Sequence, residues 1–271
     1  MLSALAPARR RLVLAVAGLA AALLVALVTL VLHRAAGAGA PGEATAPVPQ
    51  DRPGPVLLVP GYGGSVSELE LMATALRARG KDVTIVRVPD NGLGDLRDQA
   101  RAVGVAATAA RTRTGAPSVD VVGYSAGGVA ARYWVQELDG REQARRLVTL
   151  GSPHHGTEVA EIGTLFAGAC PVACRQLLPT SPLLGELDRT DAAGGPPVVS
   201  IWTTLDDVVL PPDSARLVGA LNLTVQGVCA GSRVRHGGLP GDPVVQGMVI
   251  AELGAGPTRT LGAADCDRLS R

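Results

Sequence analysis

The 271-residue chain carries 25 Lys and Arg against 24 Asp and Glu, and its only basic cluster lies near its start, so nucleic acid is not an expected partner. Hydrophobic residues make up 47% of the chain and aromatics only 2%, with 34 glycines and 20 prolines; the length from Val56 onward suits one α/β domain.

Arg9, Arg10 and Arg11 precede an uncharged run over 12–32, almost wholly Ala, Leu and Val. About 21 such residues can cross a bilayer, whereas a cleaved signal peptide has an apolar core of about 7 to 15. The length favours an uncleaved anchor, and Ala36-Gly37-Ala38 offers the alternative of signal cleavage. Arginines on the amino side leave that end in the cytoplasm and the rest of the chain outside. The arginines also have a twin-arginine look, but so apolar a core suits the general secretory route better. Three regions are expected: 1–34 as anchor or signal peptide, 35–55 as an Ala/Gly/Pro tether, and 56–271 as one folded domain.

Within that domain short apolar runs alternate with amphipathic ones. Strands are expected at 56–59, 83–88, 119–122, 147–150, 198–203 and 221–228, and helices at 68–79, 96–112, 127–138 and around 183–188. The alternation predicts an α/β fold, a mostly parallel sheet with helices on both faces. Two stretches break the rhythm, 151–197 and a long loop over 229–242. Loops at the carboxyl ends of parallel strands are where such sheets bind ligands.

All four cysteines, Cys170, Cys174, Cys229 and Cys266, fall on the exported side, where disulfides persist. Three pairings are possible, of which Cys170 with Cys174 and Cys229 with Cys266 is preferred. A zinc site is disfavoured because the Cys-x₃-Cys spacing has no second paired cluster. No metal or cofactor is expected.

The stretch "VDVVGYSAGG" places Ser125 in a G-x-S-x-G pattern. In a chain this rich in glycine the pattern arises by chance roughly 0.2 times, so its surroundings decide. An apolar strand runs into it and a small-residue helix follows at once, the strand-turn-helix context of a nucleophile elbow. A serine needs a base, and the base needs a carboxylate. His33 lies in the membrane flank, and His154 and His155 come too early in the chain, leaving His236 in "VRHGGLPGD". For the acid, Asp206 and Asp207 both follow the strand at 198–203, with Asp206 preferred. Asp213 reads instead as the start of a helix over "SARLVGAL". Two backbone donors for an oxyanion are expected at Ala126, directly after the serine, and at Tyr62 in "VPGYGGS". No Gly-Lys-Ser/Thr follows that glycine turn, so it is not a phosphate-binding loop.

The stretches "LLVPGYGG", "VDVVGYSAGG", "VTLGSPHHGT", "SIWTTLDDVVLPP" and "HGGLPGDPVV" together resemble, in order, the small secreted bacterial lipases of the α/β-hydrolase superfamily that lack a large lid. The resemblance implies an α/β-hydrolase catalytic domain with Ser125, Asp206 and His236 as its triad and Tyr62 and Ala126 as oxyanion donors. It also implies that His154 and His155 are wall or packing residues. Pro60-Gly61 stands where many relatives have His-Gly, and the four cysteines are additions to the smallest members. The expected activity is hydrolysis of acyl esters of lipids or small molecules outside the cytoplasmic membrane. The alternatives are an acyltransferase and a catalytically silent interaction protein.

Overall fold

The computed structural model describes residues 48–158, 170–189 and 195–270, together with Val25, Val28 and Thr29. The chain divides into two units, 1–46 and 47–271. Apart from Val25, Val28 and Thr29, the expected membrane run at 12–32 lies outside the described residues, as does most of the tether. Among the described residues no helix is long and apolar enough to cross a membrane.

The second unit is built on six parallel strands, β1 Val56–Val59, β2 Val83–Ile85, β3 Val119–Tyr124, β4 Ala144–Leu150, β5 Val198–Trp202 and β6 Leu221–Thr224, in the order β2-β1-β3-β4-β5-β6. Its main helices are α1 Ser67–Ala78, α2 Leu96–Thr114, α3 Ala126–Glu137, α4 Pro182–Arg189 and α5 Pro243–Glu252. Both faces of the sheet are covered, and the side chains obey the two-residue period of a strand. Val56 and Leu58 of β1 pack with Leu69, Met72 and Leu76 of α1 and with Met248 and Val249 of α5. Leu57 and Val59 pack instead with Leu96 and Val103 of α2 and Trp134 of α3. The order reverses between β1 and β3, and the crevice at such a switch point is where an open α/β sheet binds its ligand.

Several boundaries differ from the sequence expectation. The strand expected at 83–88 ends at Ile85. The one expected at 221–228 ends at Thr224, whose hydroxyl accepts from the Gly227 N–H and starts a helical turn, Val225–Val228. β4 begins three residues early because Arg145 and Arg146 are carried inside the protein: the Arg145 guanidinium pairs with Asp120 at 2.7 Å, both side chains wholly buried. A charge run of that kind reads as surface until its partner is known. The helix expected over 214–221 is only a 3₁₀ turn, Pro212–Ala215. The segment holding Cys170 and Cys174 includes a short helix, Val172–Gln176. α5, unforeseen because it is apolar nearly all round, starts at Asp242, whose carboxylate accepts from the N–H groups of Val244 and Val245.

Disulfides join Cys170 to Cys174 and Cys229 to Cys266. The second closes 37 residues and ties the turn before the His236 loop to the carboxyl-terminal helical turn, Cys266–Leu269. In the chain-entropy picture that bridge contributes about 3 to 4 kcal/mol and the four-residue bridge about 2. The Cys229→Ala/Cys266→Ala variant should therefore melt lower than Cys170→Ala/Cys174→Ala. A scanning-calorimetry ranking in the opposite order would refute the assignment of the larger constraint to the Cys229 bridge.

Candidate active site

Ser125 follows the last residue of β3 and precedes the first of α3, and the turn between them is tight enough to force its backbone to φ 53°, ψ −126°. Residues other than glycine rarely occupy this region, at a cost on the order of 1–3 kcal/mol. The conformation is held by the Ser125 N–H donating to the Leu150 carbonyl at 2.8 Å. Both glycines of the motif are demanded by space. A Cβ on Gly123 would lie 2.4 Å from Gly128 Cα, and one on Gly127 would lie 2.4 Å from the carbonyl oxygens of Val59 and Pro60.

The structure brings Ser125, Asp206 and His236 together from three separate loops. His236 Nε2 is 3.0 Å from Ser125 Oγ, and its Nδ1 is 2.8 Å from Asp206 Oδ2. All three side chains are buried or nearly so. The other carboxylate oxygen of Asp206 accepts from the N–H groups of Val208 and Val209 at 2.9 and 2.8 Å, which fixes its orientation. Asp207 turns away: it pairs with the Arg235 guanidinium at 3.0 Å and meets the His236 N–H at 3.4 Å. Burial works against its charge, but the Arg235 guanidinium and nearby N–H groups hold its carboxyl below the usual range.

The two residues expected to supply oxyanion donors are Ala126 and Tyr62. Ala126 is the first residue of α3, so its N–H has no acceptor within the helix. Tyr62 follows β1 and lines the same cleft as Ser125; a Cβ on its neighbour Gly61 would come within 3.0 Å of Ser125 Cβ. The cleft has a volume of about 270 Å³, with Pro153, Thr157, Leu177 and Val209 among its walls.

Two contributors were not apparent from sequence. Tyr124 donates its hydroxyl to the His236 carbonyl at 3.2 Å, and its ring lies 5.2 Å from the imidazole. Burial, with Glu68, Asp206 and Asp207 nearby, pushes this phenol far above its ordinary range, so it remains a donor. The two-residue period places Tyr124 on the face of Val122, but nothing in the chain says that the His236 loop arrives there. Gly151, at φ 53°, leaves the room the pair needs: a Cβ there would lie 3.1 Å from His236 Nδ1 and 3.2 Å from Asp206 Oδ2.

The two other described histidines stand apart. His154 is wholly buried, with Nε2 3.1 Å from the Thr149 hydroxyl. Burial and the positive field of Arg132 keep it neutral, well below the usual histidine range. His155 is half exposed and faces Asp188 at 3.4 Å. No group of three or more His, Cys, Asp and Glu side chains able to hold a metal occurs among the described residues.

The sequence matches the palmitoyl protein thioesterase family over residues 55–183, less than half of the chain; the match includes Ser125 and stops before Asp206 and His236. No curated protein matches the sequence. Among solved structures, Aspergillus fumigatus lipase B is 23% identical with a TM-score of 0.70, over 80% of this chain and 57% of that one. The mature form of Bacillus licheniformis lipase BlEst2 is 20% identical with a TM-score of 0.55, over 68% of this chain and 86% of that one. Its propeptide form is 21% identical with a TM-score of 0.61, over 82% of this chain and 55% of that one. The chain thus spans a little over half the length of the Aspergillus lipase. It has the α/β-hydrolase fold.

Proposed function

We propose that the protein is a carboxylic ester hydrolase of the lipase and esterase type, working through a Ser125-His236-Asp206 triad. The observation that carries this reading is the unbroken hydrogen-bonded line from Asp206 through His236 to a serine held in a strained turn at the switch point of the sheet. Ser125 Oγ attacks the ester carbonyl while His236 Nε2 takes its proton, and Asp206 stabilises the imidazolium through Nδ1–H. The developing oxyanion is received by the N–H groups of Tyr62 and Ala126. Collapse breaks the bond to the leaving group, which departs with the proton from His236. Water then repeats the cycle on the acyl-enzyme and releases the acid.

The similarity to a thioesterase family suggests that a thiol can also be the leaving group, since the same steps apply to a thioester. The two disulfides support a place outside the cytoplasm, where such bridges persist. Four free thiols in protein taken directly from cells would overturn that location.

Two measurements test the activity. A fluorophosphonate probe should label the protein stoichiometrically, because only an activated serine reacts. A series of p-nitrophenyl esters from acetate to palmitate should be hydrolysed, with the preferred chain length marking the working size of the cleft. No labelling and no turnover would leave the interaction-protein reading in possession. An acyltransferase would label but give ester product whenever an acceptor alcohol is supplied.

A further inference from the structure

The cleft beside Ser125 contains an acidic side chain with no counter-ion among the described residues. Glu68 lies in the first turn of α1 and contributes to the cleft wall together with Ser65 and Tyr124. No Lys or Arg lines that cleft among the described residues, and none of them forms an ion pair with Glu68. Asp206 is engaged with His236, and Asp207 is engaged with Arg235, which does not line the cleft. The field of Glu68 reaches the floor of the cleft, since it adds to burial in holding the Tyr124 hydroxyl protonated.

We propose that Glu68 is a specificity-determining residue that admits neutral and cationic esters to the cleft and turns away esters bearing an anionic group. The proposal rests on the ester-hydrolase reading. A phosphate, sulfonate or carboxylate entering the cleft gives up water, meets no cation in return and approaches a carboxylate. A cationic group makes the opposite exchange and gains Glu68 as its partner. Rejection of this kind is a repulsive element built against a class of competitor. Its targets are phosphate-bearing lipids and phosphate-bearing thioesters; its permitted substrates are uncharged acyl esters and esters of amino alcohols.

The test compares kcat/KM on three butanoate esters of similar size: the choline ester, its uncharged isostere with tert-butyl in place of trimethylammonium, and the sulfoethyl ester. Dividing each charged substrate's value by the neutral one in the same protein cancels any general loss of activity. The wild type should favour the cation over the anion. Glu68→Gln should shrink that cation-to-anion ratio about tenfold, and Glu68→Lys should invert it, as expected for a charge at contact distance in a partly wet site. In the wild type, raising salt from about 0.01 M to about 1 M should collapse the ratio toward that of Glu68→Gln, a measurement that needs no variant to fold. A ratio within about twofold of wild type in both variants, or one indifferent to salt, overturns the role of Glu68 and leaves the hydrolase reading intact. A wild-type protein that turns over none of the three, and no member of the p-nitrophenyl series, overturns both.

Discussion

Replacing Ser125 by alanine should abolish fluorophosphonate labelling and lower kcat for the preferred ester by about 10⁴- to 10⁶-fold, the usual cost of losing a member that acts as part of a unit. The fold survives, because alanine fills the same turn and every backbone hydrogen bond around it is kept: the residue 125 N–H still donates to Leu150, and the Gly128 N–H still reaches the residue 125 carbonyl. The turn supplies a control on this reasoning. Ser125 holds φ at 53° at an energetic cost that alanine shares and glycine does not. Ser125→Gly should be as inactive as Ser125→Ala yet more stable by about 1 kcal/mol. Activity of Ser125→Ala within tenfold of wild type would remove the residue from the mechanism. A lower melting temperature for the glycine variant would remove the strain from the account of the elbow.

Asp206→Asn should lower kcat by roughly 10³-fold or more, while Asp207→Asn should cost less than tenfold. The carbonyl oxygen of asparagine can still accept from Val208 and Val209, as Asp206 Oδ1 does, so the loop geometry survives. Its NH₂ group then faces His236 Nδ1, where the carboxylate had accepted a hydrogen bond. The imidazole must present a lone pair at Nδ1 and carry its proton on Nε2, the wrong tautomer for accepting a proton from Ser125. Asp207 loses only a surface pair with Arg235 and a long contact to the His236 N–H, and exposed pairs contribute little. Measured pH profiles sharpen the test, since Asp206→Asn should recover at high pH, where hydroxide deprotonates the serine directly. The reverse ranking of the two variants transfers the acid to Asp207.

The fold was legible in the sequence wherever one physical rule acted alone. The apolar run at 56–59 reads as a buried strand, and the glycines around Ser125, set between a strand and a small-residue helix, read as a tight turn. Chain order and strand ends were enough to nominate Ser125, Asp206 and His236, because in a parallel sheet the loops after strands gather at one edge. Where two rules competed, sequence misled. Thr224 to Val228 has strand composition, but a hydroxyl free to cap a helical turn wins there. Arg145 and Arg146 look like a solvated end, but Asp120 on the neighbouring strand draws the first of them inside. Only the tertiary structure decided which residues meet at the site. The Tyr124 hydroxyl on the His236 carbonyl, the space that Gly151 leaves beside Asp206 and His236, and the different partners of Asp206 and Asp207 join residues distant in the chain. Such contacts depend on which loops arrive side by side, and local propensity and periodicity say nothing about that.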